Sequence, residues 1–278
     1  MLKILVALIL IFGALVVIYL YLGVPSIYSE DYAELPIPHA FGDPDRPISE
    51  ISIAAFYFVP QNKTNNIAQN WKEALEDSLE KLHEFHSIQF LGRSKISYDI
   101  YDAPVIGLLN SNAYDTDDTS GGNAQALKRA SEEIDERVFD KNGDLYIPEF
   151  SASKKDAYPV FAIMYEGVGS TGGVIYESEF ELAGDIAKAL GLPEGSIFII
   201  DVERADGFFL INRLCLTNPS QCESGGPTLL AHEFYHTIGI PDEYEGKFQT
   251  SPDIMGAGRF KDIEETYLDK RKIEKLGL

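Results

Sequence analysis

Basic residues are scarce in this chain. It carries 23 Lys and Arg against 44 Asp and Glu, which gives a formal net charge of −21 over 278 residues. A protein binds nucleic acid through a basic surface that neutralises phosphates, so this charge argues against DNA or RNA as a partner. The acidic excess favours solubility and says little about the fold.

Cysteine is nearly absent as well. The only two cysteines, Cys215 and Cys222, lie close together late in the chain. In an oxidising compartment they are expected to form a disulfide that closes a short loop, and the alternative is a pair of reduced thiols. No cysteine closely follows the N-terminal apolar run, which argues against a lipoprotein anchor.

Charge is missing from the N-terminal segment. Lys3 is its single charged residue, and the uncharged run 4–24 is long enough to span a bilayer. We expect residues 1–24 to be a transmembrane signal anchor, with a cleaved signal peptide as the alternative. Lys3 before the run and acidic residues after it predict a cytoplasmic N-terminus. The rest of the chain is then extracytoplasmic at the cell membrane, or secreted if the segment is cleaved.

Two regions follow the apolar run. Residues 25–49 contain repeated prolines and little apolar periodicity, which predicts an extended Pro-rich stalk. Residues 50–278 are numerous enough to form one domain with its own core. We expect this domain to carry the activity.

Apolar runs alternate with helical patterns through the domain. Strands are predicted at 51–59, 95–101, 158–165, 196–202 and 207–214. Helices are predicted at 67–82, 123–139, 178–190 and 227–238. This alternation indicates an α/β fold with a layered sheet.

Two minor features offer weak metal-binding signals. The acidic loops at 115–118 and 140–144 suggest calcium, but the second lacks the glycine and closing glutamate of a calcium loop, so solvated turns are the main expectation. His83 and His86 are expected on an exposed helix face, with metal binding as a minor alternative.

The strongest signal lies in AHEFYHTIGIPDEY, residues 231–244. Pro227 suits the first turn of a helix, and Gly239 suits the left-handed position after its end. On such a helix His232 and His236 lie one turn apart on the same side. Two imidazoles so placed can bind one zinc ion, and Glu233 is positioned to reach a water at the metal.

The third ligand is predicted from the glycine. A sharp turn at Gly239 brings the chain back, so that Asp242 can reach the same ion. A carboxylate oxygen is an accepted zinc ligand, and with the two imidazoles it leaves one position open for water.

The pattern H-E-x-x-H-x-x-G-x-x-D, followed by Asp253-Ile-Met255-Gly256, resembles the metzincin metallopeptidases. The aspartate variant and the segment GIPDEY look like the snapalysin-type and immune-inhibitor-A-type enzymes. The matching stretch is 229–258. The resemblance implies that His232, His236 and Asp242 are the zinc ligands. It also implies that Glu233 is the general base and that Met255 is the methionine of the Met-turn.

The same resemblance implies the architecture. A zincin-like or metzincin-like fold has a twisted mixed sheet with helices, an active-site helix, and a small C-terminal subdomain, here after Gly239. Tyr244 and Tyr267 are candidates for an auxiliary ligand or oxyanion donor. The rival third ligand is Glu265, backed by Asp269 on a predicted C-terminal helix 261–276, as in thermolysin-like enzymes.

These features predict a zinc-dependent endopeptidase that acts on protein or peptide substrates, with zinc as its cofactor. One alternative is a membrane-tethered, catalytically inactive zinc-binding surface protein. The other is a zinc hydrolase that cleaves a non-peptide amide.

Overall fold

The computed structural model describes residues 39–40, 43–115, 124–139, 143–145, 157–167, 172–176, 180–181, 197–198, 206–222, 226–243 and 250–275. All of them belong to one compact unit, Ile37–Leu278. The predicted anchor 1–24 and much of the predicted stalk 25–49 lie outside these residues. Within the described part of the chain, no helix has both the length and the apolar character needed to cross a bilayer.

A mixed sheet forms the centre of the fold. The strands are β1 (His39–Ala40), β2 (Asp43–Pro47), β3 (Glu50–Val59), β4 (Lys95–Ile100), β5 (Val105–Ile106), β6 (Tyr158–Tyr165), β7 (Gly172–Tyr176), β8 (Phe180–Glu181), β9 (Ile197–Phe198) and β10 (Asp206–Asn212). The central sheet has the order β4-β3-β6-β10-β7, and β5 pairs with the end of β3. The remaining strands form two small pairs, β1 with β2 and β8 with β9.

Strand directions are mixed within the central sheet. The pairs β3–β4, β3–β5, β3–β6 and β6–β10 are parallel. The strand β7 is antiparallel to β10 and lies at one end of the strand order. The predicted α/β fold with a mixed sheet is therefore confirmed.

Helices cover both faces of the sheet. They are α1 (Trp71–Gln89), α2 (Ala124–Phe139), α3 (Arg213–Thr217), α4 (Gly226–His236) and α5 (Lys270–Lys275). Alternate residues of β3 point to opposite faces, so Tyr57 packs in the core with α1 and α4, whereas Phe58 packs in the core with α2. Each large apolar side chain fully buried in this way contributes about 1.5–3 kcal/mol.

Four of the five strand predictions are confirmed. The predicted strands at 51–59, 95–101, 158–165 and 207–214 all occur, with small differences at their ends. The last ends at Asn212, because the Asn212 side chain accepts a hydrogen bond from the backbone N–H of Leu214 and caps α3.

The predicted strand 196–202 and helix 178–190 lie mostly outside the described residues. The part of 196–202 that is described, β9, pairs with β8 rather than with the central sheet. Because β8 occupies Phe180–Glu181, the prediction of helix at those residues is wrong.

The predicted C-terminal helix 261–276 is wrong over most of its length. Two 3₁₀ helices, Ala257–Phe260 and Ile263–Glu265, precede the short α5. The backbone N–H of Tyr267 donates to the carbonyl oxygen of Pro252 (3.1 Å), and its carbonyl accepts from the N–H of Ile254 (2.8 Å). Because the N–H of Tyr267 donates to this distant segment, it is not available for a hydrogen bond within a helix.

The expectation that His86 is exposed is also wrong. His86 is completely buried on α1, where its ring stacks on Phe90 and meets Phe234 of α4 edge to face. Burial and the neighbouring His83 charge lower the pKa of His86 to about 3. It is a neutral core residue.

The predicted disulfide is confirmed. Cys215 of α3 is bridged to Cys222, which follows the 3₁₀ helix Pro219–Gln221. The bridge lies in the connection between β10 and α4, so it constrains the approach of the chain to the helix that carries His232 and His236.

Candidate metal centre

A glycine turn ends the helix that carries the two histidines. The predicted helix 227–238 is observed as α4, Gly226–His236. Gly239 adopts a φ of 85°, in the left-handed region that favours glycine. The N–H of Ile240 then donates to the carbonyl of Tyr235 at 3.1 Å, which satisfies a free carbonyl at the helix end. The chain reverses here as predicted.

Backbone carbonyls orient both imidazole rings. The Nδ1 atom of His232 lies 2.9 Å from the carbonyl oxygen of Ile254, and that of His236 lies 2.8 Å from the carbonyl oxygen of Ile240. A carbonyl can only accept, so each Nδ1 carries a proton. In the neutral rings the lone pair therefore remains on Nε2, the arrangement that suits metal binding through Nε2.

The carboxylate of Asp242 lies between the two Nε2 atoms. Its Oδ1 is 3.3 Å from Nε2 of His232 and 3.4 Å from Nε2 of His236. Two nitrogen lone pairs and a carboxylate oxygen repel one another at these distances, and a positive charge between them would remove this repulsion. This set of two imidazoles and one carboxylate fits zinc.

Charge and burial oppose one another in the pKa values of these groups. Burial lowers the pKa of His236, but the hydrogen bond that its Nε2–H donates to Asp242 when the ring is protonated, together with the charges of Glu233 and Asp242, raises the pKa to above the ordinary value of 6.5. Burial raises the pKa of Asp242, and the hydrogen bonds and charges of both histidines lower it to well below 3.8. The surroundings thus favour positive charge at this place.

Glu233 is part of the same cluster. The side chains of His232, Glu233 and His236 each place one potential ligand atom within 4.8 Å of the others. Glu233 and His232 are buried, whereas the side chain of Asp242 is 41% exposed. The site therefore has a closed side along α4 and an open side at Asp242.

The segment that contains Met255 lies against this cluster. Met255 is buried, its N–H donates to the Asp253 carboxylate (2.8 Å), and its carbonyl accepts from the N–H of Glu243 (2.8 Å). Together with the hydrogen bond that His232 Nδ1 donates to the Ile254 carbonyl, these contacts tie the turn 253–256 both to α4 and to the segment that carries Asp242.

The described candidates among the other predicted site residues have different side-chain surroundings. Glu265 is exposed at the end of its 3₁₀ helix, and Asp269 is paired with Arg271. Tyr267 is 37% exposed, and its hydroxyl lies 2.7 Å from the Ser251 hydroxyl. Tyr244 lies outside the described residues.

Two aspartates of the predicted acidic loops, Asp115 and Asp144, are among the described residues, and both contact other side chains. Asp144 makes two hydrogen bonds of 2.8 Å with the Arg137 guanidinium, and Asp115 accepts one of 2.6 Å from the Tyr165 hydroxyl. Their carboxylates are thus used by contacts within the protein. The aspartates at 117, 118 and 140 lie outside the described residues.

Sequence reasoning missed three contributors to the site. Two are the backbone carbonyls of Ile240 and Ile254, whose role does not depend on the side chain and leaves no mark in the sequence. The third is Lys272, a buried lysine on α5 that contacts Asp253 and Glu243. Its position in a short charged segment resembles that of an ordinary surface lysine.

Comparisons with known proteins add little. No protein-family model and no curated protein matches the chain. Among solved structures, a zinc-dependent peptidase from Methanocorpusculum labreanum (strain Z) matches with a TM-score of 0.31 and 12% sequence identity, covering 81% of this chain and 99% of that one. A likeness this distant says nothing about the activity of this chain.

Proposed function

We propose that this protein is a zinc-dependent endopeptidase of the metzincin-like type, with His232, His236 and Asp242 as the zinc ligands. The observation that carries the proposal is the approach of Asp242 Oδ1 to the Nε2 atoms of His232 (3.3 Å) and His236 (3.4 Å). The tautomers set by the two backbone carbonyls support the same assignment.

Each group has a role in amide hydrolysis. His232, His236 and Asp242 would hold zinc, which as a Lewis acid would lower the pKa of a water molecule toward neutrality. Glu233, next to His232 on α4, would take a proton from that water as the water oxygen forms a bond to the carbonyl carbon, and would deliver the proton to the leaving amine. The C–N bond breaks, and the products are a carboxylate and an amine. The exposed side of Asp242 provides access for the substrate.

A catalytic role explains the site better than a structural one. Structural zinc sites close all four positions with protein ligands, whereas catalytic sites keep one position open. Here three ligands are accompanied by a buried glutamate that is placed to act as a base.

Metal analysis combined with proteolysis tests this proposal. The purified protein should contain stoichiometric zinc and should cleave casein or a mixed peptide library. A chelator should abolish the cleavage, and added zinc should restore it. Zinc without cleavage would favour the inactive surface protein or the hydrolase of a non-peptide amide. Absence of zinc after loading would contradict the site itself.

We also propose that residues 1–24 anchor the protein in the cell membrane and that the folded domain is extracytoplasmic. The uncharged run 4–24 supports this location, and the Cys215–Cys222 disulfide suits an oxidising compartment. Protease added to intact cells or spheroplasts should digest an epitope placed after Ser49. Digestion only after membrane lysis would show that the domain lies in the cytoplasm and would contradict the proposed orientation.

A further inference from the structure

A buried lysine lies behind the candidate zinc site. Lys272 of α5 is 5% exposed, although lysine is rarely buried unless it is paired. Its ammonium donates a hydrogen bond to Oδ1 of Asp253 and lies 3.2 Å from Oε2 of Glu243. A single cation thus contacts two segments that are distant from α5 and that both reach the zinc site.

The first of these segments is the turn 253–256. Asp253 is completely buried, and its Oδ1 also accepts from the N–H of Met255 (2.8 Å), while its Oδ2 accepts from the N–H of Asp269 (2.7 Å). The same turn presents the Ile254 carbonyl to His232. The charge of Lys272 therefore stabilises the carboxylate that organises the turn behind one histidine.

The second segment carries Asp242 itself. Its neighbour Glu243 donates its backbone N–H to the carbonyl of Met255 at 2.8 Å. The Oε2 atom of Glu243 is buried and receives no aligned hydrogen bond from the described residues. The ammonium of Lys272, at ion-pair distance but poorly aligned for a hydrogen bond, supplies the opposite charge. This attraction fixes the segment next to Asp242.

We propose that Lys272 is a positioning residue for the zinc centre. By attracting Glu243 and Asp253 together, it holds the Asp242 carboxylate at the place where it meets both histidines. Residues 240–243 lie in neither a helix nor a strand, so a contact that orders them lowers the entropic cost of binding metal. This inference rests on the proposed assignment of Asp242 as a zinc ligand.

Zinc affinity, measured by competition with a chromogenic chelator, tests the inference without an activity assay. Lys272→Met should weaken zinc binding by roughly 10–100-fold, the usual effect of losing a group that orients a metal ligand. Lys272→Arg, which keeps the charge, should recover part of the affinity. Lys270→Met is the matched control, because Lys270 is exposed on the same helix and pairs with Glu274. It should bind zinc as the wild type does.

A second variant covers the case in which Lys272→Met does not fold because Asp253 is left buried and unpaired. Glu243→Gln keeps the side-chain volume at a partly exposed position and removes only the charge that attracts Lys272. It should fold, and it should weaken zinc binding by about tenfold. The double variant, Lys272→Met with Glu243→Gln, should bind zinc no more weakly than Lys272→Met alone, since both changes remove the same contact between Lys272 and Glu243.

A cobalt-loaded sample adds a readout that a merely structural role would not change. Displacement of the Asp242 carboxylate should alter the visible spectrum of bound cobalt in Glu243→Gln, whereas Lys270→Met should leave it unchanged.

Two results separate failure of the inference from failure of the proposed function. If Asp242→Ala binds zinc as tightly as the wild type, the ligand assignment is wrong and the role of Lys272 falls with it. If Asp242→Ala loses zinc while Glu243→Gln keeps wild-type affinity and an unchanged cobalt spectrum, the positioning role alone is overturned, whether or not Lys272→Met folds.

Discussion

His232 and Ile254 are linked by a 2.9 Å hydrogen bond between a ring nitrogen and a backbone carbonyl oxygen. The bond joins the helix α4 to the turn 253–256, and the equivalent bond of His236 joins α4 to the turn after Gly239. Both proposed ligands on the helix are therefore oriented by loops. The precision of the site depends on how firmly those loops are held.

Removal of Asp242 should weaken metal binding itself. Asp242→Ala leaves two imidazoles, which are too few protein ligands for a catalytic zinc site, so zinc affinity should fall by at least roughly 100-fold. Asp242→His restores an accepted ligand and should recover part of the affinity. Dialysis against graded chelator, followed by metal analysis, measures both.

Glu265→Ala is the control for this prediction, because Glu265 is the rival third ligand and is exposed. Its zinc content should match that of the wild type. The opposite pattern, with zinc lost from Glu265→Ala and kept by Asp242→Ala, would replace the metzincin-type assignment by the thermolysin-like one.

The disulfide should contribute to stability more than to metal binding. It joins cysteines 7 positions apart, and closing so short a loop is worth about 2 kcal/mol by restricting the unfolded chain. The variant with both Cys215→Ser and Cys222→Ser should show this loss in urea unfolding and should still bind zinc. If the double variant and the oxidised wild type have the same free energy of unfolding, the disulfide does not contribute to stability.

His86 should make the protein sensitive to moderate acid. Its pKa is about 3 in the folded protein, lowered by burial, whereas in the unfolded chain it is near 6.5. Between these values the unfolded state binds more protons, so the free energy of unfolding decreases as the pH falls from 6.5 toward 3. The slope from this group alone approaches about 1.4 kcal/mol per pH unit.

The variant His86→Leu isolates this effect. Relative to the wild type, its free energy of unfolding should improve steadily as the pH is lowered from about 6.5 to 4. Leu82→Met serves as the control because Leu82 is buried on the same helix and neither side chain titrates, so its difference from the wild type should stay constant with pH. A His86→Leu difference that stays constant with pH would contradict a neutral core histidine.

The sequence predicted best those features that depend on neighbouring residues. The strand at 158–165 was predicted to its ends because every residue in β6 is apolar or aromatic and buried. The turn at Gly239 and the spacing of His232 and His236 are likewise local, since helix geometry and a left-handed glycine suffice to define them.

Features that depend on distant contacts were missed. The helix expected at 261–276 is interrupted because the backbone of Tyr267 pairs with Pro252 and Ile254. His86 was expected at the surface, but it is buried because α1 packs against α4, a contact that the local sequence does not show. The burial of Lys272 has the same origin, since its partners Asp253 and Glu243 are remote in sequence.

The central claim is that Glu233 acts on water while the neighbouring side chains hold zinc, and the variant Glu233→Gln tests it most directly. Metal content and peptide cleavage should be measured on the same preparation. We expect zinc content equal to that of the wild type and a cleavage rate lower by roughly two to four orders of magnitude, the scale of lost general-base catalysis. Cleavage at the wild-type rate with zinc bound would contradict the account.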